Sequence, residues 1–154
     1  MRSFLRSWLP VIVWALLISM FSTDEFSSSN TSRIIDPLVL WIFPNASSQL
    51  QEAIHYFVRK LGHWSEYFVL SWLLVRGFQG EPRRKLQVRW IVWTLALVLV
   101  YALIDELHQA FVPSRSARLA DSMLNFFGGV SAVGWKYLHQ PKNGKSLDKD
   151  EKAS

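Results

Sequence analysis

Residues 90 to 104, WIVWTLALVLVYALI, carry no charged side chain, and the stretch that follows, DELHQAFVPSR (105–115), carries several. That junction constrains the fold more than any other feature of the chain. A helix needs roughly 20 mostly apolar residues to cross a bilayer, and an ionisable group within such a span costs a few kcal/mol on insertion scales. Asp105, Glu106, His108 and Gln109 are therefore expected to turn away from lipid.

The apolar residues come in blocks. Half of the 154 residues are hydrophobic, with eight Trp and ten Phe, and a soluble domain of this length would interleave them with polar residues. The pattern predicts an all-α membrane protein with four transmembrane helices, at about 4–21, 61–78, 90–112 and 119–138. The first block could serve as a signal peptide, but ISMFSTDE offers no small-x-small cleavage site, so a retained span is expected. No cysteine is present, which excludes disulfides, a thiol nucleophile and a Cys-based metal site. The net charge of +5 sits between and after the apolar blocks with no aromatic-basic groove pattern, which argues against nucleic acid.

Orientation follows from the flanking basic residues. One side would hold Arg2, Arg6, Arg76, Arg83, Arg84, Lys85, Arg89, Lys136, Lys142, Lys145, Lys149 and Lys152; the other only Arg33, Arg59, Lys60, Arg115 and Arg118. Twelve against five predicts a multi-pass protein of the cell membrane with both termini cytoplasmic and residues 22–60 and 113–118 outside. Within the long outer loop, 26–33 reads as a polar turn. DPLVLWIFP (36–44) is too short to span and reads as interfacial. Leu50, Ala53, Ile54, Phe57, Val58 and Leu61 recur at helical spacing, predicting a short amphipathic interfacial helix before the second span. Residues 1–138 would form the transmembrane domain and 139–154 a disordered cytoplasmic tail.

With that topology the polar residues of the spans collect in one leaflet. Arg59, His63, Glu66 and Tyr67 lie in the outer turns of span two, and Asp121 and Asn125 in the outer half of span four. At 1.5 Å per residue, Asp105 lies roughly 10 Å below the end of span three. Steps of three and four align each set on one face. Gly128 and Gly129, with Ser122 nearby, would admit a close partner backbone. Pro113 would end span three, and Ser114 or Ser116 would cap the next helix. Arg115 would hang over the cluster. Each residue also has a plainer reading: Asn125 as interhelical glue, Asp105 with Arg115 as a closing ion pair, Glu66 and Glu106 facing lipid headgroups, Tyr67 and the Trp residues as packing or interface anchors. Glue alone would not gather in a single leaflet.

RKLGHWSEYFVL (59–70), DELHQAFVPSR (105–115) and ADSMLNFFGG (120–129) together resemble the VanZ-like family of small bacterial membrane proteins, and FSTDEFSSSNTSR resembles that family's early outer loop. The resemblance covers most of residues 10–135. It implies several transmembrane helices and a link to the cell envelope, and the namesake is associated with resistance to teicoplanin, a lipid-bearing glycopeptide. It implies no established reaction. The positions matching the family motifs are His63, Tyr67, Asp105, Glu106, Gln109, Arg115, Asp121 and Asn125.

Three functions compete at the sequence level. The first is an outward-facing polar pocket for an amphiphile: a membrane lipid, a lipid-linked wall precursor or a lipoglycopeptide. Arg59 and Arg115 would then suit a phosphate. The second is a membrane hydrolase or transferase with His63 as general base, Asp105 orienting it and Arg115 stabilising an oxyanion. The third is a structural or partner-binding bundle. A metal held by His63, His108, Asp105 and Asp121 lacks compact ligand spacing, so no metal or cofactor is expected. A transporter would carry polar residues to the midplane.

Overall fold

A computed structural model describes residues 2–23, 28–80, 85–111 and 118–140. These form α1 (Arg2–Phe21), α2 (Ser28–Ile42), α3 (Ser48–Gln79), α4 (Val88–Ala110) and α5 (Leu119–Leu138), and among the described residues every regular element is a helix.

Cross-helix contacts fix the directions. Trp14 Nε1 donates to the Glu66 carbonyl at 2.9 Å while Trp8 meets Phe78, so α1 and α3 are antiparallel. Ser22 reaches Asp105 and Tyr101 reaches the Ala15 carbonyl, so α1 and α4 are parallel. Asp121 meets Lys60 and Lys136 lies over Trp72, so α5 runs with α3. The four helices α1, α3, α4 and α5 alternate in direction.

α3 is the hub, packing against every other helix. Its N-terminus is capped by Ser47, whose Oγ accepts from Leu50 N at 3.3 Å. It ends at Gly80, where φ is +70° and the amide donates to the Arg76 carbonyl. α5 lies so close to α3 that a Cβ on Gly128 would fall inside contact distance of the Trp64 carbonyl oxygen. Ser71 Oγ donates to the Gly129 carbonyl at 2.9 Å along the same seam.

The molecule is apolar outside. Leu9, Ile12, Val13 and Leu16 of α1 are exposed, as are Val92, Leu99, Val100 and Ile104 of α4. Water would not tolerate such continuous apolar faces, whereas lipid requires them. Among the described residues, two helices are long and apolar enough to cross a membrane, Phe4–Phe21 and Val88–Ala110. α3 and α5 fall short of that standard because each carries a polar stripe on the face it turns inward. The interior changes character along the bundle. Val75, Leu86, Trp90 and Val133 pack at one end and Val11, Ile18, Leu70, Leu74, Val98 and Ala102 in the middle. The far end is polar.

Two expectations are corrected in the outer segment. The turn expected over 26–33 is helical from Ser28. Serine is a weak helix former, but packing outweighs propensity: Asp36 pairs with His55 of α3 at 2.5 Å and Val39 is buried. The amphipathic helix and the second span are one continuous 32-residue helix, because nothing from Ser48 to Gln79 breaks the backbone ladder. At 1.5 Å per residue it is roughly 48 Å long, well beyond a hydrocarbon core of roughly 30 Å. The tail from 141 and the segment 112–117, with Pro113, Ser114, Arg115 and Ser116, lie outside the described residues.

Candidate functional site: a buried polar cluster at one end of the bundle

The polar stripes of α3, α4 and α5 meet the C-terminal end of α1, and their side chains assemble around three carboxylates: Asp105, Glu106 and Asp121 are 5 %, 5 % and 0 % exposed. Each carboxylate is held differently.

Asp105 receives neutral donors. Ser22 Oγ donates to Oδ1 at 2.5 Å and Gln109 Nε2 to Oδ2 at 3.1 Å. Gln109 also reaches Ser22 Oγ at 3.2 Å, closing a three-residue ring between α1 and α4. The wholly buried Tyr67 of α3 lies within electrostatic reach of the same carboxylate, and its hydroxyl meets no hydrogen-bond partner among the described residues. Its ring lies 6.1 Å from that of Tyr101, whose hydroxyl donates to the Ala15 carbonyl at 2.6 Å. Asp105 thereby ties the end of α1 to α4.

Asp121 receives charge. Arg59 Nη2 approaches Oδ2 at 3.4 Å and the Lys60 ammonium binds Oδ1. Asp121 sits in the first turn of α5, where the helix dipole also favours a carboxylate. Glu106 takes a third role. One of its oxygens accepts from the backbone N–H of Arg118, the N-cap residue of α5. α5 starts at Leu119, and a side chain of α4 reaches its end; Ser114 and Ser116, expected to cap it, lie outside the described residues. Glu106 does not face headgroups, and its other oxygen, Oε2, has no partner among the described residues. It lies within electrostatic range of Asp121, Asp105 and Arg59, so the three carboxylates share one environment.

Asn125 follows Asp121 by one turn, and Gly128 on the same face touches Trp64 of α3. Its amide is wholly buried, and neither Nδ2 nor Oδ1 meets a partner among the described residues. Buried polar atoms are nearly always paired, so each exception calls for a reason. Ser122 donates to the Ala102 carbonyl at 3.4 Å, closing the α4–α5 side. His63 is buried on α3 one turn beyond Arg59. His108 is exposed and does not join the cluster, and Glu66 is half-buried. Among the described residues no three of His, Cys, Asp and Glu are arranged as a metal-binding group.

The structure thus brings together Arg59, Tyr67, Asp105, Glu106, Gln109 and Asp121; His63 and Asn125 are buried one turn further along α3 and α5, and Arg115 lies outside the described residues. Two members were missed. Lys60 figured only in the charge count, although its offset of 61 residues from Asp121 is nearly that of Arg59. Ser22, one residue beyond α1, carries no sequence signal that separates it from its serine-rich surroundings.

A model of the VanZ/LLP1 family matches residues 7–138. That range contains all five helices except the first residues of α1, and every member of the cluster. No curated protein and no solved structure matches the chain.

Proposed function

Since the chain belongs to the VanZ-like family, we propose that it is a multi-pass protein of the cell envelope, crossing the membrane four times with both termini in the cytoplasm. Its polar cluster faces outward and binds the head of an amphiphile, and this binding lowers susceptibility to lipoglycopeptides such as teicoplanin. The observation that carries the reading is the inversion of the interior. Charged and amide side chains fill one end of a bundle whose flanks are apolar and exposed, an arrangement suited to a headgroup at that end and acyl chains beside it. The alternating helix directions and the excess of basic residues on one side support four crossings. Binding is preferred to a hydrolase or transferase using His63, because the carboxylate of Asp105 is already engaged by Ser22 and Gln109.

The test is a susceptibility panel in a Gram-positive host. It compares teicoplanin with vancomycin, which lacks the lipid tail, for the wild type, Asp105→Asn and Arg115→Ala at matched membrane levels. Protection against the lipidated drug alone, lost in both variants, is the expected result. Absence of protection by the wild type would refute the resistance role.

A further inference from the structure

The end of the bundle opposite the polar cluster is electropositive with every residue of the sequence counted. The side that takes both termini and the α3–α4 connection holds twelve basic residues, against the acidic Glu81, Asp148, Asp150 and Glu151. The packing of α5 on α3 brings two of these cations together. The Lys136 ammonium lies over the Trp72 ring, 4.6 Å from its centroid, and within electrostatic range of Arg76. Arg76 follows Trp72 by one turn of α3 and so shares its face. Neither cation forms an ion pair among the described residues. Lys136 is half-buried and Arg76 exposed. Helix packing thus holds two like charges side by side at the margin of an apolar bundle, where an unpaired charge is costly.

Trp72 is also the last rung of an aromatic ladder. Trp64, Phe68 and Trp72 recur every fourth residue of α3, with successive ring centroids 5.1 and 6.4 Å apart, and all three are half-buried. One end lies where Gly128 of α5 touches the Trp64 backbone, and the other is the Trp72–Lys136 contact. The ladder therefore follows the α3–α5 seam for roughly 12 Å. A cationic head and an apolar track in one line are complementary to an anionic head with an acyl chain; a free anion would leave the track uncovered.

We propose that Arg76 and Lys136 bind the phosphate of an anionic phospholipid whose acyl chain lies along Trp72, Phe68 and Trp64. Arg76 presents its forked guanidinium to the phosphate oxygens, and Trp72 fixes the Lys136 ammonium beside it. The site is separate from the outer cluster and requires only that the bundle lies in a bilayer.

The full-length protein is reconstituted in vesicles of choline phospholipid, and lipids with brominated acyl chains and either glycerol or choline headgroups are mixed in at rising mole fraction. Bromine quenches tryptophan on contact, so fluorescence reads occupancy beside Trp64 and Trp72. The glycerol lipid is expected to reach half-saturation at a mole fraction roughly 20-fold below the choline lipid, each cation contributing about fivefold. Arg76→Gln and Lys136→Gln should each lower that ratio about fivefold; Arg76 is exposed, so its replacement leaves folding intact. Lys136→Arg should retain the ratio, as should Arg6→Gln, which removes the same charge from an exposed position on α1. Equal quenching by the two lipids overturns the site. An Arg6→Gln loss as large as that of Arg76→Gln overturns it too, by reducing the preference to a diffuse field. Loss of the preference in excess inorganic phosphate would assign the pair to a soluble anion and overturn the lipid assignment.

Discussion

Replacing Gly128 by alanine places one methyl group against the backbone of α3, and the consequence follows from geometry. The added Cβ would lie inside contact distance of the Trp64 carbonyl oxygen, with the Trp64 carbonyl carbon at 3.1 Å and its Cα at 3.3 Å. None of these atoms belongs to a flexible side chain, so the two helices must separate by about an ångström along a seam that also carries the Ser71–Gly129 hydrogen bond. Overpacking of this kind costs about 1–3 kcal/mol. The upper end applies because backbone is displaced, and roughly 1 kcal/mol of improved helix propensity offsets part of it. A net loss of about 2 kcal/mol is expected, or roughly 4–8 °C in Tm for a chain of this size. Gly134→Ala is the internal control: it lies on the same helix with nothing within 4 Å of its Cβ, and should be neutral or slightly stabilising. Thermal unfolding in detergent, followed by tryptophan fluorescence, separates the two. Equal midpoints for both variants would refute the close α3–α5 crossing.

Asp121→Asn leaves Arg59 and Lys60 without their counter-ion inside the bundle, and should lower stability by about 3 kcal/mol; Lys60→Met, which leaves Arg59 to serve Asp121, should cost clearly less in the same unfolding assay. Ser22→Ala removes a donor to Asp105 and an acceptor for Gln109 at once, so a loss of about 1–3 kcal/mol is expected. A midpoint unchanged from the wild type would mean that the end of α1 does not close the cluster.

The position of the cluster was legible because helix direction and residue spacing are both written in the sequence. Once spans alternate, Arg59, Asp105 and Asp121 must share an end, and steps of three or four put their neighbours on the same face. Partner choice was not legible. Arg59 and Lys60 are adjacent in sequence and equally basic, and only the crossing of α3 with α5 lets both reach Asp121. The capping of α5 by Glu106 was hidden for a related reason. Sequence rules look for caps within a few residues of a helix start, whereas this one comes from 12 residues upstream, on a different helix. In α2, residues 26–33 read as a polar turn, and the contact that holds the helix comes from α3, through His55.

The central claim, that the polar cluster opens to the outside of the cell, has a direct test because the chain contains no cysteine. Single cysteines at Ser116, between α4 and α5 in the sequence, and at Gln87, at the N-terminal end of α4, are exposed to an impermeant maleimide in intact cells and again after permeabilisation. The account predicts that Ser116→Cys is labelled in intact cells while Gln87→Cys is labelled only after permeabilisation. The reverse pattern would contradict it, placing Asp105, Glu106 and Asp121 on the cytoplasmic side, beyond the reach of any external amphiphile.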